Sequence, residues 1–113
     1  MNLWGAAMLL VVGSACTEST GPQLDSAIPA AASAGAIITI RGKRLCGENG
    51  NCETAGGAIR IGYDSPVIAS IVDYTDTSAQ VQIPPVTPIG RTVLIATVND
   101  HASNALDFVV LAP

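Results

Sequence analysis

The stretch GAIITIRG, residues 35–42, decides the fold. Ile38 and Ile40 alternate with Thr39 and Arg41, and a period of two puts the apolar pair on one face of an extended strand and the polar pair on the other. β-Branched residues fill the run and glycines bound it, as expected of a short, half-buried strand. The same rhythm recurs outward along the chain in AIRIGY (58–63), VIASIVDY (67–74), SAQVQIP (78–84), RTVLIATV (91–98) and ALDFVVL (105–111), with turn-rich pieces between. Ile59 and Ile61 oppose Arg60, Val81 and Ile83 oppose Gln80 and Gln82, and Leu106, Phe108 and Val110 oppose Asp107. These inward sets are the expected core of an all-β sandwich of about seven short strands. In RTVLIATV both faces are apolar. That strand is expected at the centre of a sheet, covered on both sides or with its outer face against a partner.

Composition supports one such domain. The 113 residues are 49% hydrophobic and only 12% charged, far from the polar composition of a disordered chain. Eleven Gly and seven Pro punctuate the β-branched runs. A formal charge of −4 removes the basic surface on which phosphate-backbone affinity depends, so no nucleic-acid partner is expected. Arg41, Lys43 and Arg44 are the only basic cluster, and they read as a solvated strand end.

Every charged side chain lies beyond Cys16. The apolar run from Leu3 to about Gly13 is shorter than the ~20 residues of a spanning helix and has the length of a secretory h-region, so residues 1–15 read as a removable signal. The small polar stretch TESTGPQLDS (17–26) reads as a tether, which puts the domain at 27–113. Cys46 and Cys52 bracket GENGN, a loop able to fold back and join the sulfurs. In an exported protein a disulfide is expected there, stabilising the fold by roughly 2 kcal/mol. Zinc would need three or four soft ligands, and the single His101 is remote from these cysteines in sequence. Cys16 is then the odd cysteine. VVGSAC (11–16) resembles a bacterial lipobox, in which small residues precede a cysteine that is diacylated and becomes the new N-terminus. Cys16 is therefore the expected lipidation site, and two acyl chains give stable membrane attachment. Ordinary signal cleavage after Ala15, with no lipid, is the rival reading.

The sandwich resembles the IPT/TIG domain, an immunoglobulin-like module of cell-surface receptors, bacterial surface proteins and some transcription factors. The resemblance runs from Ile28 to Pro113 and rests on GAIITIRGKRL, AIRIGY, DTSAQVQIPP, PIGRTVLIATVND and SNALDFVVLAP in that order. Pro29 followed by AAASAG implies a short or irregular first strand. Gly42 and Gly62 are expected at strand ends needing positive φ, and Ser103 and Asn104 are expected to bond nearby backbone and turn the chain into its last strand.

Little chemistry is legible. Asp100, His101 and Ser103 are close in sequence, but neighbouring turn residues point apart and a triad needs separate, supported segments. Asp73 with Asp76, or Glu48, Asn49, Asn51 and Glu53, offer oxygen ligands for calcium without a recognisable ligand spacing. Tyr63, Tyr74 and the Cys46–Cys52 loop are candidates for an exposed recognition surface. The only Trp, Trp4, precedes Cys16, so the mature chain has no stacking platform for sugars. The expectation is a non-enzymatic module without metal or cofactor, lipid-anchored in the bacterial cell envelope and facing a protein or surface-glycan partner. Thr17 in place of Asp after the cysteine suits the outer membrane. A secreted adhesion or surface-assembly subunit is the alternative.

Overall fold

The computed structural model describes residues 21–47 and 50–113. The signal segment, Cys16, Glu48 and Asn49 lie outside them. Among the described residues the chain forms ten strands and one helical turn: β1 (Gln23–Ile28), β2 (Ala31–Ser33), β3 (Ile37–Lys43), α1 (Cys52–Ala55), β4 (Ala58–Ile61), β5 (Val67–Ile68), β6 (Ser70–Tyr74), β7 (Ser78–Gln82), β8 (Gly90–Val98), β9 (His101–Ala102) and β10 (Leu106–Leu111). They build two sheets, ordered β1-β3-β7-β6 and β2-β10-β8-β4-β5, with β9 returning along β8. All the pairings are antiparallel except that of β2 with β10.

The period-two sets meet between the sheets. Ile38, Ile40, Ile59, Ile61, Val81, Ile83, Phe108 and Val110 are all buried in one cluster with Leu24, Leu45 and Leu94, and Leu106 packs against its rim. The ambiguous strand β8 is central, flanked by β10 and β4. Leu94, Ala96 and Val98 turn inward. Val93 and Ile95, of opposite parity, face outward.

Strand number exceeds the expected seven because edges are broken rather than continuous. β1 and β2 are one irregular edge strand that changes sheet at the cis Ile28–Pro29 peptide. β5 and β6 divide VIASIVDY between the sheets in the same way.

The tether expected over 16–26 overlaps β1, which begins at Gln23 and pairs with β3 from Gln23 opposite Lys43 to Ile28 opposite Thr39. A single core residue, Leu24, carries this strand, so no apolar periodicity announces it. Its remaining order is backbone pairing to a neighbour, which sequence pattern does not display. Gly42 also has a different role from the one expected: it lies inside β3 opposite Leu24 at a register shift, and a Cβ there would overlap the Gln23 carbonyl. Arg44 instead adopts the positive φ, at 53°. Gly62 does so as expected, at 105°.

Candidate functional site

The disulfide loop crowns one pole of the sandwich, where β3 leaves for β4. Cys46 and Cys52 are joined, with Cα atoms 4.5 Å apart. Asn51 caps α1, its side-chain oxygen accepting from the Glu53 N–H at 3.1 Å, and Gly56 ends the turn in the left-handed region. Cys46 is fully buried in a small second cluster with Ala55 and Val98, against which Tyr74 packs.

Tyr74 at the end of β6 and Asp76 in the β6–β7 connection fasten the base of this loop. The Leu45 N–H donates to the Asp76 carbonyl at 2.9 Å, and the Cys46 N–H donates to Asp76 Oδ1 at 3.1 Å. The Tyr74 hydroxyl donates to the Leu45 carbonyl at 2.7 Å. Burial, with the Asp76 carboxylate nearby as a lesser cause, pushes the Tyr74 phenol up to about 12. Gly57 lies against the ring, leaving no room for a Cβ. Tyr74 is thus a clamp beneath the loop rather than an exposed recognition residue. Tyr63 is exposed as expected, but it follows β4 at the opposite pole.

Beside the disulfide loop stands the β8–β9 hairpin. Asn99 and Asp100 both have positive φ, 50° and 67°, and Val98 pairs with His101, which makes a two-residue hairpin turn of the primed type. Its Asn99 side chain lies against Gly47 of the disulfide loop. The pole therefore presents two braced loops edge to edge.

The other candidates do not assemble into a reaction centre. His101 sits exposed on β9, while the Ser103 hydroxyl accepts from the Ala96 N–H and donates to the Asn104 carbonyl, each at 2.8 Å. Among the described residues no hydrogen bond joins Asp100, His101 and Ser103. Asp76 is engaged with Cys46, and the described residues hold no cluster of three or more His, Cys, Asp or Glu side chains suited to a metal ion. Arg44 Nε donates to the Gly21 carbonyl at 2.9 Å, so one member of the basic run fastens the entry of the chain.

One residue has a longer reach than its sequence neighbourhood suggests. Asn104 Oδ1 accepts from the Leu24 N–H at 2.8 Å and Asn104 Nδ2 donates to the Leu24 carbonyl at 2.9 Å. The side chain mimics a strand partner and ties β1 to the segment before β10. An Asn shortly before a strand is the only sequence signal, and it points to a local turn equally well.

Residues 22–110 match the IPT/TIG domain, which is most of the chain and both sheets of the sandwich. The chain belongs to the IPT/TIG family. The matched span begins ahead of β1, in agreement with the structural start of the fold rather than with a domain opening at residue 27. What is matched is an immunoglobulin-like, non-catalytic binding or structural domain, and no catalytic domain is matched. A search of curated proteins returns no match.

Proposed function

We propose that the protein is a non-enzymatic, extracytoplasmic IPT/TIG module, anchored in a bacterial envelope membrane through diacylated Cys16 and acting by contact with a partner. The observation that carries this reading is the composition break at VVGSAC, where an uncharged apolar run ends in small residues and a cysteine and every charge follows. The Cys46–Cys52 bond is of the kind that persists in oxidising compartments and supports the same address.

The start of β1 at Gln23 gives the anchor a geometric consequence. Only five residues separate Cys16 from Pro22, and five extended residues reach no more than about 18 Å. The chain enters the sandwich beside the disulfide loop, because Gln23 pairs with Lys43. Anchored there, the disulfide pole lies nearest the lipid. The opposite pole carries Tyr63 and the uncharged loop 84–89, in which Pro85, Val86, Pro88 and Ile89 are exposed. The length of β8, nine residues or about 30 Å, keeps that pole away from the membrane and open to a protein or surface-glycan partner.

Fatty-acid labelling and membrane fractionation of the wild-type chain and Cys16→Ser test the anchor. Label and membrane association in the wild type, both lost in the variant, are expected. Unlabelled wild-type protein released from the cells would favour the second reading, a secreted adhesion or surface-assembly subunit cleaved after Ala15.

A further inference from the structure

The outward face of the sheet β2-β10-β8-β4-β5 sets apolar side chains among charges of both signs. With Leu94, Ala96, Phe108 and Val110 inward, residues of opposite parity face out: Val93 and Ile95 from β8 and Val109 from β10, with Ile68 beyond Arg60 on β5. Val93 is 8% exposed, Ile95 and Val109 are half-buried, and Ile68 is exposed. On the other sheet the corresponding positions of β3 and β7 are Ile37, Thr39, Arg41, Ser78, Gln80 and Gln82, polar but for the exposed Ile37 at the strand end.

Charges of both signs surround this apolar centre. Arg91 stands opposite Val109, Asp107 opposite Val93, and Arg60 opposite Ile95. Arg91 and Asp107 lie diagonally across adjacent strands and line one shallow cleft with Val109 and Ala30. All three charged side chains are exposed, and none forms an ion pair or a hydrogen bond among the described residues.

We propose that this face is a twofold interface between two copies of the chain, with Arg91 of each copy paired to Asp107 of the other across Val93, Ile95 and Val109. An isologous patch must complement itself. One cation and one anion about a shared apolar centre do so, whereas a patch of a single sign would repel its copy. Edge-to-edge pairing is the less suitable route, because β1 and β6 carry register irregularities near Asp25 and Val72 and the edges β2 and β5 are three and two residues long. The five strands, ~4.8 Å apart and averaging about 16 Å in length, give a footprint on the order of 400 Å² per copy, about half that of a standard interface, so the dimer is weak and concentration-dependent.

Sedimentation equilibrium of the full chain in density-matched detergent tests this over a wide concentration range. The wild type is expected to shift from monomer to dimer. Arg91→Asp and Asp107→Arg should each weaken association about tenfold or more, and R91D/D107R should recover most of it by restoring the pair with its signs exchanged. Circular dichroism melts of the variants, with Arg91→Ala and Asp107→Ala as milder companions, separate lost pairing from lost folding. A wild type that stays monomeric, or association indifferent to the single reversals, as self-association of the N-terminal segment would be, overturns the proposal. So does a folded double variant no better than the singles.

Discussion

At the scale of single residues, the fold depends on a few contacts whose partners are far away in sequence. Gly42 is the sharpest case: it faces the Gln23 carbonyl where β1 is irregular, so any Cβ collides with backbone that cannot rotate away. Gly42→Ala is expected to lose about 2 kcal/mol, read from urea unfolding midpoints. An unchanged midpoint would mean that β1 is not docked where described. Tyr74 supplies a pH-dependent contact. Its phenol titrates near 10 in the unfolded chain and about 12 in the folded one, so the folded state holds its proton longer. The contribution is complete below pH 10 and declines as the pH climbs toward 12. Thermal melts at pH 9 and 11 should show a larger loss for the wild type than for Tyr74→Phe, and equal losses would remove Tyr74 as the cause. Neither role was legible locally. Gly42 reads as a strand end and Tyr74 as a surface aromatic, because the Gln23 carbonyl and the Leu45 carbonyl that define them come from distant segments of the chain.

Among the elements, legibility followed the hydrophobic pattern. β3, β4, β7 and β10 each bury one face against the other sheet, so their alternation is written in Ile38, Ile59, Val81 and Phe108 and their neighbours. β8 was legible as a central strand but not in its facing, since Val93 and Ile95 on one side resemble Leu94 and Ala96 on the other. Its pairing resolves what its sequence does not. β1 and β2 were missed or blurred because an edge strand held by Leu24, alanines and backbone bonds carries almost no side-chain signal. Deletion separates the two boundaries. A chain starting at Gly21 keeps β1, whereas one starting at Ala27 loses Leu24 and most of the pairing with β3. The shorter chain should melt at least about 10 °C lower or fail to fold. Equal melting temperatures would restore the later boundary.

For the whole molecule, position matters more than any reactive group. The chain enters beside the disulfide loop and ends near the opposite pole, where Leu111 pairs with Ser33. An anchor at Cys16, as proposed, would therefore orient the sandwich as well as retain it. The disulfide pole was legible from the spacing of Cys46 and Cys52, but its bracing by Asp76, Tyr74 and the Asn99 turn was not, since three separate connections converge there. A partner would leave no comparable mark, because a binding surface without catalytic chemistry imposes no residue spacing.

The central claim, an anchored and disulfide-stapled module, is tested most directly by the intact mass of the protein expressed in a bacterial host with its own N-terminus, before and after reduction and thiol alkylation. The predicted result is a mass beginning at Cys16 with diacylglycerol and a fatty acid added, and two thiols that alkylate only after reduction. A chain beginning at unmodified Cys16, or a full-length chain with three free thiols, would contradict it.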